Sequence, residues 1–367
     1  MIVHLTRDHP PRINGGLSTA VGGLVRALHE SGCTQRVVSF DAYRPRNTRG
    51  AEHPPAIEET GGVEVLRVKS PHHLEAAHRF IGKPDVVHVH DGFLDELAST
   101  IDAPSVLTVH VAQGELRRRR GLPEPTRSER AQTAAMDRAA AITVPAEGVL
   151  EALPPSARHK ALVLPLGVHD DPRARAAAHR DRPEPRVLYA GRFADVKGTA
   201  ELFDLIQALH DRVPEARFTV AGGLVDNPKS EARWRRQLDA RLSTDARAAT
   251  KVTGWLDPEA LSRAHARARV LVVPSWYETF GLSAVEAMLH GVAVVATSTP
   301  GLKAVLEEGL VDDLEDMAEA IIPLLTDATL AARRGEAAAA HARRHHLWPD
   351  HVDGYRALYE RLSGGEP

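Results

Sequence analysis

Short apolar runs of strand length alternate with helix-length segments along the whole chain, and no other pattern limits its fold as tightly. In the first half the runs are Ile2–Thr6, Val37–Phe40, Val63–Val68, Val86–Val89, Val106–Val109, Ala141–Val144 and Leu162–Leu164. Several are apolar at consecutive positions, as strands covered on both faces are. Such alternation predicts parallel sheets with helical crossovers. Residues 170–185 then turn polar and rich in Arg, Ala and Pro, which reads as an interdomain linker. The pattern restarts with Arg186–Ala190, Arg217–Ala221, Lys251–Gly254, Val270–Val273 and Val292–Ala296. A chain of 367 residues exceeds one typical core. The expectation is therefore two doubly wound α/β domains, 1–169 and 186–345, facing each other across a ligand cleft at the carboxyl ends of their strands. In 346–367, Trp348, Val352, Tyr355, Leu358, Tyr359 and Leu362 recur at three- and four-residue spacing and predict a final helix with one apolar stripe.

Composition removes several function classes. A net charge of −3 gives no electrostatic case for nucleic acid. Cys33 stands alone, so neither a disulfide framework nor a cysteine-rich metal site is available, in keeping with a reducing cytoplasm. The opening MIVHLT is strand-like and carries no signal core, and no apolar run nears the length of a membrane span. A cytoplasmic location without a transmembrane segment is expected. Neither G-x-G-x-x-G nor G-x-x-x-x-G-K-[ST] occurs, which weighs against a nicotinamide dehydrogenase and an ATPase.

The segment Pro274–Ala296, PSWYETFGLSAVEAMLHGVAVVA, is the most informative for function. Between Gly281 and Ala296 the only formal charge is Glu286, set among Ala284, Val285, Ala287, Met288 and Leu289. A carboxylate in such surroundings needs a hydrogen-bonding partner. Gly281 lets backbone approach a ligand closely, and the helix start that follows offers free N–H groups to a phosphate. Glu278, Phe280, Gly281, Leu282, Glu286, Ala287, Met288 and Gly291 together resemble the E-x7-E signature of retaining glycosyltransferases of the GT-B fold, family 4 type, the group typified by sucrose-phosphate synthase and bacterial mannosyltransferases. The resemblance implies two Rossmann-like domains, with the last helix crossing back onto the amino-terminal one. It also implies a donor site of Glu278 on the sugar hydroxyls, Thr279 and the amides of Phe280, Gly281 and Leu282 on sugar and phosphate, and Glu286 on the ribose.

Other elements fit the same resemblance. Gly191, Arg192, Lys197 and Gly198 stand as AGRFADVKG directly after the strand VLYA. An Arg fork and a Lys point charge beyond a strand end suit a diphosphate, at roughly 1.5–3 kcal/mol for each charge-assisted bond. The family's G-R-x(n)-K-G element matches here and implies that Arg192 and Lys197 are phosphate ligands. Asn14-Gly15-Gly16 precedes a helix pattern, and the resemblance sets Gly15 and Gly16 against the donor diphosphate. His88 and His90 share a strand face, and His110 closes another strand. No carboxylate or cysteine pattern joins them, so no zinc site is expected. The family's strand-end histidine, here His110, lies beside the reacting sugar. Arg117–Arg120 reads as a solvated face, with steering of a phosphorylated acceptor or contact with anionic lipid as its functional alternatives.

Two departures concern substrate. Val111 stands where inositol-phosphate transferases of mycothiol synthesis carry threonine, which argues against a phosphorylated inositol acceptor. The stretch STPGLKAVLEEGLVDDLEDM is short and glycine-poor where relatives carry a Gly-Gly-Xaa-Pro-Glu element, so no donor contact is carried over there. The expected activity is retaining, metal-independent transfer of a hexose-type sugar from a nucleoside-diphosphate sugar, UDP favoured. The acceptor is expected to be a small molecule such as an aminocyclitol or other secondary metabolite. Residues His110, Glu278, Arg192 and Lys197 carry the chemistry, and no cofactor beyond the co-substrate is required. A lipid- or polysaccharide-directed transferase, a nucleotide-sugar epimerase or hydrolase, and a non-catalytic nucleotide-sugar binder stay open as alternatives.

Overall fold

The computed structural model describes residues 1–13, 15–40, 55–68, 74–223 and 228–364, and the side chains of all of these except 228–231. The chain divides into two compact units, Met1–Gly167 with the segment from Trp348, and Val168–Leu347. Both are α/β.

In the first unit the strands are β1 (Ile2–Thr6), β2 (Gln35–Ser39), β3 (Ala56–Thr60), β4 (Val63–Arg67), β5 (Val86–Val89), β6 (Ser105–Thr108), β7 (Ala141–Val144) and β8 (Ala161–Val163). They form one sheet in the order β3-β4-β2-β1-β5-β6-β7-β8, parallel except for the β3–β4 hairpin. The sequence pattern did not announce β3. Its AIEET is largely exposed, because an edge strand with charged side chains needs no apolar alternation. One face of the sheet is apolar, with Val3, Leu5, Val87, Val89, Leu107, Val109, Ile142 and Val144 packed into the main core. Toward the carboxyl ends of β1, β5 and β6 the alternate positions, with His90 just past β5, are polar yet buried: His4, Thr6, His88, His90 and Thr108.

The helix Trp348–Leu362 lies on the helix Gly16–Glu30 of the same unit. Contact is close enough that a Cβ at Gly23 would fall 2.4 Å from the indole Nε1 of Trp348. The Tyr355 hydroxyl donates to the carbonyl of Leu164 at 3.0 Å. The stripe read from the sequence is therefore this helix's buried face: Trp348, Val352, Tyr355, Leu358 and Tyr359.

The second unit holds β9 (Arg186–Ala190), β10 (Arg217–Ala221), β11 (Thr250–Gly254), β12 (Val270–Val273), β13 (Ala293–Thr297) and β14 (Leu310–Val311). Their order is β11-β10-β9-β12-β13-β14, all parallel. Counted from the unit's own start this is 3-2-1-4-5-6, the doubly wound order whose direction reverses between the first and fourth strands. The two-residue β14 is too short to register as a run. Residues 170–185, read as a linker, carry the helix Pro172–Ala178, which buries Ala174, Ala177 and Ala178 within the second unit. The unit boundary lies ahead of it, between Gly167 and Val168. Three alanines make a packing face without looking like an apolar stripe.

Trp348 is 1% exposed, so Trp348→Ala is expected to destabilise the first unit by about 3–5 kcal/mol. The urea midpoint of its unfolding should fall accordingly; an unchanged midpoint would show that the last helix is not part of that core.

Candidate functional site

In a doubly wound sheet the ligand crevice opens where the strand order reverses, beyond the carboxyl ends. In the second unit that point is flanked by the loops after β9 and β12, and three ties bind those loops together. Gly198, with φ +64°, ends a single 3-10 turn over Asp195–Lys197, and a Cβ there would fall 1.9 Å from the Pro274 carbonyl oxygen. Only glycine permits that approach. The Trp276 indole N–H donates to the carbonyl of Asp195. The Lys197 ammonium pairs with the Glu278 carboxylate, at 26% and 14% side-chain exposure. The sequence assigned these two residues to different parts of a donor; the fold joins them.

The backbone around Arg192 is fixed from beneath. Gly191 N–H donates to Ala221 O at 3.0 Å, and the Tyr189 hydroxyl donates to Arg192 O at 2.9 Å. Burial raises the Tyr189 phenol far above its ordinary range, so it stays a neutral donor. The Arg192 side chain is exposed and, among the described residues, has no ion-pair partner. Beyond β12, Gly281 adopts φ +106° and opens the helix Leu282–Leu289. Its carbonyl accepts from Ala284 and Val285 at 2.9 and 3.1 Å, while the N–H groups of Leu282 and Ser283 lie in the turn that has no acceptor inside a helix. Phe280 is buried, with its ring edge-on to His346 at 6.2 Å. Gly301 N–H donates to Glu278 O at 3.0 Å, so the helix Pro300–Val305 backs the Glu278–Phe280 loop from the very stretch that departs from the family pattern.

Glu286 sits one and a half turns into the Leu282–Leu289 helix, with Ala284, Val285, Ala287 and Met288 buried around it. The partner expected for it is absent: among the described residues no side chain or backbone group bonds its half-buried carboxyl. Burial pushes that carboxyl up to about 7. A poorly solvated acceptor without a protein donor is poised for the hydroxyls of a ligand. Sequence reasoning passed over Trp255, which follows the end of β11 and is 40% exposed, one of few large apolar side chains so placed. An aromatic following a glycine at a strand end was its only signal.

Gly15, Gly16 and His110 belong to the first unit. Gly15 caps the helix Gly16–Glu30; Asn14 lies outside the described residues. The loop before it is anchored by Arg67, which sequence reasoning also missed. That guanidinium is 2% exposed, donates to His9 O at 2.9 Å and to Pro10 O, and pairs with Glu58 at 3.0 Å. At the end of β5, Asp91 pairs with Arg7 at 2.5 Å. His110 follows β6 and bonds His90, Nε2 to Nδ1, at 3.2 Å. His4 joins His88 and His90 from β1, their ligating nitrogens within 4.8 Å of one another, a spacing that a metal could use. Both nitrogens of each of these three rings are engaged in hydrogen bonds. Arg117 pairs with Glu129 at 2.8 Å, and Arg118 and Arg119 pair with Glu115 at 2.8 and 2.7 Å. The arginine run is thus largely compensated by its own helix and the next.

Residues 184–327 match the family described as Glycosyl transferases group 1, and residues 15–167 match the Glycosyl transferase 4-like domain. The D-inositol 3-phosphate glycosyltransferase of Xylanimonas cellulosilytica is 30% identical over 387 residues, covering 90% of this chain and 88% of that protein. Among solved structures, sucrose-phosphate synthase of Thermosynechococcus elongatus superposes with a TM-score of 0.81 at 22% identity, covering 98% of each chain. HepE of Anabaena, solved with UDP-glucose, gives 0.75 at 16% identity over 99% of this chain and 100% of that one. These neighbours show the GT-B fold. Among the described residues no helix is long and apolar enough to cross a membrane. With both halves matched in order and a relative 30% identical over 90% of this chain, the chain belongs to the group 1, family 4 type glycosyltransferases.

Proposed function

We propose that this glycosyltransferase moves a hexose-type sugar from a nucleoside-diphosphate sugar, UDP favoured, to a hydroxyl of a small-molecule acceptor with retention at the anomeric carbon, in the cytoplasm and without a metal. The observation that carries the donor half is Glu286, a carboxyl beyond the reversal point of the second sheet that has no protein partner among the described residues. Vicinal ribose hydroxyls would supply the two donors it lacks. The bound UDP-glucose of HepE supports the choice of UDP. For the acceptor, the Xylanimonas relative's name, D-inositol 3-phosphate glycosyltransferase, supports a polyhydroxylated ring of the cyclitol kind, and Val111 favours one without the phosphate.

The chemistry follows from charge. Breaking the glycosyl–phosphate bond leaves positive charge on the sugar and negative charge on the departing diphosphate. Lys197 and the N–H groups at the start of the Leu282–Leu289 helix are held before the ligand arrives, and Arg192 reaches out from a braced backbone; together they oppose that negative charge. Glu278, held by Lys197, accepts hydrogen bonds from sugar hydroxyls and positions the ring. The acceptor hydroxyl attacks the face that the diphosphate leaves, and a phosphate oxygen takes its proton. Trp255 offers a ring face to the base.

Three outcomes are expected. UDP at about a hundred times its dissociation constant should add roughly 2.7 kcal/mol to stability, visible as a higher unfolding temperature that EDTA does not reduce. Stabilisation that vanishes with EDTA would contradict the metal-free reading. Arg192→Ala should lower turnover at least tenfold, and proton NMR of the first product formed should show the donor's anomeric configuration; full turnover in the variant or an inverted product would remove these assignments.

Glu286→Gln should act in opposite directions on stability and binding. The carboxyl ionises near 7 when folded and at 4.5 when unfolded, so its burial costs stability fully above pH 7, progressively less on acidification, and nothing below 4.5. The unliganded variant should gain up to about 3 kcal/mol at pH 8 and nothing at pH 4. Its UDP affinity should fall at least tenfold. Equal UDP affinity would end the ribose assignment.

A further inference from the structure

We propose that His341, His345 and His346 form a divalent transition-metal site, with Glu307 as the carboxylate that orients His341, and that zinc there braces the loop carrying Glu278. The three imidazoles close the helix Ala328–His345. His341 and His345 stand at i and i+4 on it, with ring centroids 4.9 Å apart, the helical spacing that lets two imidazoles share an ion. His346 is its C-cap, and its ring centroid lies 5.1 Å from that of His341. The negative end of the helix dipole falls at the same place and favours a cation. Of the two arginines between them in sequence, Arg343 donates to the Leu289 carbonyl at 2.8 Å and Arg344 is exposed.

The hydrogen bonds inside the cluster leave a position for an ion. His341 Nδ1 stands 3.1 Å from a Glu307 carboxylate oxygen, which only accepts, so the proton of the neutral ring sits on Nδ1. His341 Nε2 is then a bare acceptor. It faces His346 Nε2, 3.3 Å away, and the Val305 carbonyl oxygen is 3.2 Å from that same nitrogen. Two acceptors therefore share at most one hydrogen, at lengths at or past the long end for such bonds. Two nitrogens bound to one tetrahedral zinc at about 2.0–2.1 Å are about 3.3 Å apart, the separation already present between the two rings. His345 is exposed, and among the described residues no hydrogen bond holds its ring, so it turns to the third position. Coordination through Nε2 places the His346 proton on Nδ1, and a water in the fourth position takes over the Val305 carbonyl. A carboxylate bonded to the far nitrogen of a metal-bound imidazole fixes the ring and raises its basicity, which is the place Glu307 holds. Access is from the Glu307 side, whose side chain is 72% exposed against 16% for His341. Imidazole donors select zinc, nickel or copper over magnesium or calcium.

The ion goes beyond the transfer reading and does not depend on it. Val305 ends the helix Pro300–Val305, whose Gly301 N–H bonds the Glu278 carbonyl at 3.0 Å, and the His346 ring meets Phe280 edge-on at 6.2 Å. Zinc draws Glu307 and the Val305 carbonyl, through its own ligands, onto the end of the Ala328–His345 helix, and so stiffens the support of the Glu278–Phe280 loop. It takes no part in the diphosphate contacts proposed for Arg192 and Lys197, so the transfer itself stays metal-free.

The test is calorimetric titration of the full chain with zinc chloride at pH 7.5, the protein carrying no polyhistidine tag and freed of metal by EDTA and dialysis, followed by cobalt(II) spectra of the same samples. One zinc should bind per chain, and cobalt should give the visible absorption of a tetrahedral site. His341→Gln and His345→Asn should each weaken zinc at least tenfold, and Glu307→Gln, at an exposed side chain, roughly tenfold. Zinc-loaded wild type should unfold at a higher temperature than the zinc-free protein, and the increment that UDP adds should be the same for both. No saturable zinc binding by wild type, or zinc affinity unchanged in His345→Asn and Glu307→Gln, would overturn the proposal. So would binding lost in His88→Gln but kept in His341→Gln, which would move the ion to the first unit. A UDP increment present only with zinc would overturn the bracing role and place the ion at the nucleotide.

Discussion

A parallel sheet covered on both faces must send its crossovers to opposite sides at one place, and in the second unit that place lies between β9 and β12. The loops that leave these strands diverge, yet they are held within contact by a side-chain-free Gly198, by an indole bond and by the Lys197–Glu278 pair. Each tie needs the others. A Cβ at residue 198 would push the Pro274 carbonyl away, and the ammonium of residue 197 would lose its carboxylate. Removing one partner of a pair this shielded leaves the other charge poorly compensated, which costs more than the pair itself contributes. The local geometry of the candidate donor site follows from that strand order.

The two units treat buried polarity in opposite ways. In the first, the polar seam of His4, His88, His90, Thr108 and Gln35 is bonded throughout, and its rings are held neutral. In the second, Glu286 has an apolar shell and, among the described residues, no protein donor. A fully satisfied seam fixes a conformation, whereas an unsatisfied acceptor is a standing cost that a ligand removes. The difference sets a self-satisfied network apart from a carboxyl open to the ligand proposed for it, without reference to any relative.

Most of the sheet was legible in the sequence because its strands are apolar on consecutive positions, and Val86–Val89, Ala141–Val144, Arg186–Ala190 and Val270–Val273 end where the runs end. The edge strand Ala56–Thr60, the two-residue β14 and the alanine-faced helix Pro172–Ala178 were not legible, since none has a run of large apolar side chains. In the site, residue types were legible and partners were not. The motif named Lys197, Glu278 and Glu286, but pairing the first two and isolating the third depends on packing between loops 81 residues apart. Arg67 and His4 were missed because a lone arginine or histidine at a strand position carries no spacing signal; their roles appear only when β4 and β5 come into register beside β2 and β1.

The central claim, that the buried Glu286 carboxyl accepts hydrogen bonds from ribose hydroxyls, is tested most directly by counting the protons that UDP displaces at a pH below the raised value of that carboxyl. Calorimetric titrations at pH 6.5 in two buffers of different ionisation enthalpy give that number for wild type and for Glu286→Gln, with the nucleotide's own phosphate contributing equally to both. The account predicts that wild type releases a substantial fraction of one proton more than the variant. Equal release by the two proteins, at measurable affinity, would show that the carboxyl does not meet the nucleotide.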